Sequence, residues 1–83
     1  MPRFHFEVRG AQRFPDPEGV VLKSRAAARR EAVRLAACLV RDYPETFAEG
    51  RSWRMCILDD AGELVEAHEI DLGPEPRPNA NDA

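Results

Sequence analysis

Only one stretch of this chain is free of helix breakers for long enough to make a sizeable helix, and the segments on either side of it alternate. Residues 26–42 contain no glycine, no proline and only two β-branched residues, Val33 and Val40. That composition favours a helix of about 17–20 residues. Ser24 stands ahead of it with a hydroxyl able to accept a first-turn backbone N–H. Pro44 stands just behind it and biases Tyr43 out of the α region, so the helix should end there.

Before the helix, Phe4, Phe6 and Val8 alternate with His5, Glu7 and Arg9, the period-two signature of a half-buried strand. Gln12–Phe14 is a short second strand that Pro15 would stop. Asp16-Pro17-Glu18-Gly19 has turn chemistry, and Val20-Val21-Leu22 leads on to Ser24. After the helix, Trp53, Met55 and Ile57 alternate with Arg54, Cys56 and Leu58. Asp59-Asp60-Ala61-Gly62 is a tight turn, and an extended pattern resumes at Glu63. In that last strand Glu66 and His68 share a parity with Leu64 and Ile70, as a bulge or an edge position would explain.

The resulting order, β(β)-α-β-β, predicts an α+β fold: a two-layer sandwich with one amphipathic helix packed on a three- to four-stranded sheet. The expected domain is residues 1–72. Residues 73–83 carry three prolines at alternate positions and no large apolar side chain, so they are expected to form a disordered tail. On a helical wheel Ala28, Ala32, Leu35, Ala36, Leu39 and Tyr43 form the core stripe, flanked by Val33 and Val40. Phe47 is expected to tuck back as a lid. If the first strand neighbours Trp53–Leu58, the helix is expected to cross over between those two as parallel strands. The sheet's other face would then show His5, Glu7, Arg9, Arg54, Cys56 and Leu58, leaving an apolar patch of Leu58, Cys56 and Trp53 near the surface.

Charge and composition narrow the function. The net charge of −3 argues against a general polyanion binder, since phosphate contacts dominate nucleic-acid affinity. No apolar run approaches the roughly 20 residues of a membrane span. The amino terminus is charged by Arg3 and Glu7 and does not read as a secretory signal. Two cysteines are too few for a disulfide framework, so a cytoplasmic location is expected. Twelve of the hydrophobic residues are alanine, which leaves a small core. The stability expected of about 70 folded residues is only ~4–10 kcal/mol, and self-association is a live option.

The residues of chemical interest do not cluster in sequence. His5, His68, Cys38 and Cys56 are each more than ten residues from the next, unlike the close pairs of zinc sites. The acidic residues from Asp59 to Asp71 lack calcium-loop spacing, and the five glycines form no phosphate loop. No catalytic residue, metal or cofactor is therefore expected. The most suggestive feature is the ridge Arg30, Arg34 and Arg41 on the polar side of the helix, a candidate nucleic-acid contact. Its neighbours Glu31 and Asp42 and the acidic chain disfavour that use.

The opening Met1-Pro2-Arg3-Phe4-His5-Phe6-Glu7-Val8-Arg9, the Asp16–Leu22 turn, Glu31-Ala32 in the alanine-rich helix and the Trp53…Asp60-Ala61-Gly62 hairpin resemble a family of short alphaproteobacterial proteins. Its members open Met-Pro-Arg with an aromatic-rich strand followed by Asp-x-Glu-Gly, and the likeness spans roughly residues 1–70. The resemblance implies a domain of unknown function, with no activity, ligand or catalytic residue to carry over. The expected role is a non-enzymatic protein–protein interaction or self-association module. Its candidate interface is His5, Arg54, Cys56 and Leu58 on the sheet face, or an edge strand. The alternative is a nucleic-acid-binding, antitoxin-like regulator using Arg30, Arg34 and Arg41.

Overall fold

The computed structural model describes residues 1–47 and 52–70. The expected tail, and the end of the expected domain at residue 72, lie outside the described residues. Strand β1 runs Arg3–Arg9, β2 Arg13–Phe14 and β3 Val20–Val21; helix α1 runs Arg25–Asp42; β4 runs Trp53–Leu58 and β5 Leu64–Ile70. The α+β sandwich is as expected, with a five-stranded antiparallel sheet in the order β2-β1-β4-β5 and β3 also on β1.

Strands β2 and β3 lie along the same edge of β1, β2 pairing Val8 with Phe14 and β3 pairing Phe4 with Val20. The chain thus runs back along β1 in two short pieces, with residues 15–19 looping out between them. This return decides the topology. It leaves the chain at the starting end of β1, and α1 carries it to the far end, where β4 begins. Strand β4 therefore pairs antiparallel with β1, Phe6 opposite Ile57 and Val8 opposite Met55. The expected parallel pairing of β1 with β4 is corrected: the helix links β3 to β4, which point the same way with β1 between them.

Helix α1 begins as its cap predicts, with the Ala27 N–H donating to Ser24 Oγ at 3.1 Å. It ends at Asp42, and the Tyr43 N–H donates to the Leu39 carbonyl. Ala28 and Ala32 are each 1% exposed, so the small-residue half of the stripe lies close on the sheet. Leu35, Ala36, Leu39 and Val40 pack partly buried around them. Two members of the expected apolar side differ: Tyr43 is 57% and Val33 62% exposed. Phe47 takes the place left by Tyr43, buried with its ring 5.0 Å from Trp53.

Phe4, Phe6, Val8, Trp53, Met55, Ile57 and Ile70 complete the core between helix and sheet. The β4–β5 turn is closed by Asp59, whose Oδ1 accepts the N–H groups of Ala61 and Glu63 at 2.9 Å each.

Candidate interaction surface

The far side of the sheet is not the apolar patch that alternation suggested. Cys56 and Leu58 are buried, as is Trp53 on the core side, so that expectation is corrected. Cys56 is hemmed between Glu7 on β1 and Ala67 on β5, and flanking strands shield a small side chain well. Glu7 is itself buried at 3% exposure. Its Oε2 accepts from Arg13 Nε and, at 2.8 Å, from Arg9 Nε. Arg13 and then Arg9 hold its carboxyl below the usual carboxylate range. Arg54 is exposed, standing between Arg9 and Glu69 in the sheet.

His5 on this face is a clasp. Its Nδ1 lies 2.8 Å from the Asp16 carbonyl and its Nε2 lies 3.0 Å from Asp60 Oδ1. Neither oxygen carries a hydrogen, so both ring nitrogens must donate and the geometry is that of the imidazolium. The Asp60 carboxylate, and then the Asp16 carbonyl, raise the pKa of His5. Because the folded value is raised, the stabilisation is fully present below about 6.5 and is lost as pH rises through the folded value. Thermal denaturation of the wild type should therefore show a fall in Tm across that window, and His5→Gln should flatten it. An NMR titration midpoint for His5 at or below 6.5 would contradict the clasp. Cys56 shares this face, yet both His5 nitrogens are engaged elsewhere and neither is left to activate the thiol.

The arginine ridge is exposed but largely paired. Arg34 donates to Glu31 at 2.6 and 3.2 Å, and Arg41 to Asp42 at 3.3 Å. The Cys38 sulfur lies 4.0 Å from Arg34 and 3.6 Å from Arg41. Arg30, the third member, is exposed. The ridge is thus a run of local ion pairs on the side of α1 turned from the sheet, as expected of an amphipathic helix in water.

Among the described residues, two grooves open between the layers. The larger, about 630 Å³, lies among Val8, Phe14, Leu39, Tyr43, Phe47 and Trp53. Both flanks of segment 48–51 meet there, and that segment lies outside the described residues. The smaller, about 330 Å³, runs between α1 and β5, with Val33, Ala37 and Val40 on the helix side and His68 and Ile70 on the strand side. Among the described residues no strand pairs with the outer side of β5.

The parity mixture in β5 has its explanation here. The register slips between Ile57 and Leu58, so that Glu66 opposes Ile57 while Leu64 opposes Leu58. Glu66 and His68 consequently point to the helix side, where an edge strand leaves room for polar groups. Arg29 on α1 reaches across to grip both Glu66 oxygens, and His68 Nε2 lies 2.8 Å from Glu66 Oε1. Arg29, and then His68, bring the Glu66 carboxyl down to about 2. None of Val33, Glu66 and His68 was expected from sequence to be an interface residue. Their signals were present: a valine at the margin of the stripe and two polar residues on the apolar parity of the last strand.

Among the described residues no three His, Cys, Asp or Glu side chains converge as a metal site requires. His5 and His68 stand on opposite faces of the sheet. No described helix is long and apolar enough to cross a membrane. Comparison with curated proteins and with solved structures finds no match. A family-wide sequence model does match, over residues 3–70, nearly the whole of the described fold. The chain belongs to the family described as Domain of unknown function (DUF6894).

Proposed function

We propose that the chain is a non-enzymatic module that associates with protein through the outer edge of β5 and the groove beside it. The observation that carries this reading is the seven-residue β5, unpaired on its outer side among the described residues and bordered by an apolar groove. An added strand would gain main-chain hydrogen bonds from that edge, while the groove under α1 takes alternate side chains. Val33, a large apolar side chain of the helix that is 62% exposed, stands at its rim. On the sheet face, by contrast, the central Cys56 and Leu58 are already buried. A cytoplasmic setting suits the two free thiols, one of them part-exposed.

Site-specific photo-crosslinking in cells tests this. A benzophenone side chain placed at Val33 should give protein adducts, and one at Pro17, on the opposite edge, should not. Absence of protein adducts at Val33, or equal yields at both positions, would overturn the reading.

A further inference from the structure

Resting on that reading, we propose that the occupant of the β5 edge is the β5 of a second copy, paired antiparallel about a two-fold axis at Ala67. The sequence of the edge carries the argument. In that register Ala67 faces Ala67 of the second copy, Glu66 faces His68 of the second copy, and His68 faces Glu66 of the second copy. The two opposed pairs join acid to base on the helix side of the sheet, where Glu66 and His68 already point. Sliding the pairing by two residues either way loses this match. One slip sets Glu66 against Glu66 of the second copy, and like charges directly opposite are unfavourable; the other sets His68 against His68 of the second copy and loses both acid–base pairs.

The geometry of the layer agrees. An antiparallel pair about a two-fold perpendicular to the sheet keeps both helices on the same face. The Val33–Ala37–Val40 walls of the two grooves then look toward each other across the axis, and Ala67, exposed and small, offers no obstacle to close approach. Closure is complete: each edge is used by the other copy, so the contact makes a dimer and not a fibre.

The full chain is tested as it stands. Sedimentation velocity at micromolar concentrations should give a dimer. In a Cys38→Ser background, Ala67→Cys should form a disulfide-linked dimer with oxidised glutathione, because residues directly opposite have Cβ atoms about 4.5–5.5 Å apart. Glu69→Cys in the same background should not, since in this register it faces Val65 of the second copy. His68→Glu should weaken self-association by about tenfold or more, and mixing it with Glu66→Arg should restore mixed dimers. Circular dichroism checks that each variant is folded.

A monomer throughout the concentration range overturns the proposal. So does linkage no better at position 67 than at 69, or association unchanged in His68→Glu. If Val33 adducts contain other proteins and never this chain, the second-copy proposal fails while the interaction reading stands. If Val33 yields no protein adduct at all, both fail.

Discussion

Trp53→Ala should cost about 3–5 kcal/mol, the range for emptying a large buried aromatic site. The indole is 3% exposed and is held on three sides: Phe14 stacks on it at 5.9 Å, Phe47 meets it tilted at 5.0 Å, and Gly10 lies against its six-membered ring. A Cβ at Gly10 would come within 2.5 Å of Cε3, so that approach leaves no slack for the ring to be replaced by a neighbour. Against a total of ~4–10 kcal/mol for a domain of this size, the loss takes most of the stability. In urea, with a slope near 1 kcal/mol per molar for so small a protein, the midpoint should fall by about 3 M or more. A fall below about 1 M would mean that Trp53 does not anchor this end of the core. Trp53→Phe separates shape from polarity. The Trp53 Nε1 is buried without a hydrogen-bond partner among the described residues, a penalty of roughly 1–3 kcal/mol that phenylalanine removes. That variant should accordingly lose less than its missing area implies.

The same residue shows where reading the chain alone stops. Local patterns were legible because their causes are local: the Phe4–Arg9 alternation, the Ser24 cap, the break at Pro44 and the Asp59–Gly62 turn all operate within a few residues. Burial of Trp53 depends on Phe14 and Phe47, one of them far off in sequence, and no periodicity announces that. Strand β3 is two residues long, and its partners, Arg3 and Phe4, precede it by more than a dozen. Taking Val20–Val21 as a lead-in and not as a strand removed the return leg of the chain, and the direction of β4 followed wrongly from it. Polar residues failed in the opposite way. Glu7, His5 and the arginines were placed on the correct faces, but their exposure was set by partners such as Arg13, Asp60 and Glu31, which alternation cannot supply.

The candidate surface was half legible for a related reason. An edge strand was anticipated as one route to association, yet the named interface residues were those of the broad face. A face is judged by which side chains alternate outward, and Cys56 and Leu58 do so. Whether they are also uncovered depends on strand order, and central strands shield what edge strands show. With β1 and β4 in the middle of the sheet, free surface passes to β5, and the two polar residues that looked misplaced there become its most informative feature.

The gap in the outer edge of β1 gives the second large effect. Between β2 and β3 the Phe6 N–H has no strand opposite it, and it donates instead to Asp16 Oδ2 at 3.0 Å. The Gly19 N–H donates to Asp16 Oδ1 at 3.2 Å, so one carboxylate stands in for the missing piece of strand. The chain can fold back this tightly only because Gly19 takes φ +70°. A Cβ there would lie 2.7 Å from the Phe4 carbonyl oxygen and 2.8 Å from the His5 ring, which its two hydrogen bonds hold in place. Gly19→Ala should thus suffer twice: about 1–2 kcal/mol for a left-handed backbone and about 1–3 kcal/mol for overpacking. Gly62 is the internal control, at φ +85° with nothing within 4 Å of a Cβ, so Gly62→Ala should show the backbone cost alone. Asp16→Ala should add its own loss of about 1–3 kcal/mol by orphaning the Phe6 N–H. Denaturant titrations of the three variants decide the matter. Equal losses for Gly19→Ala and Gly62→Ala would show that the His5 ring and the Phe4 carbonyl do not press on this turn. A larger loss at Gly19 ties the positive φ, the carboxylate bridge and the imidazolium clasp into one structural unit.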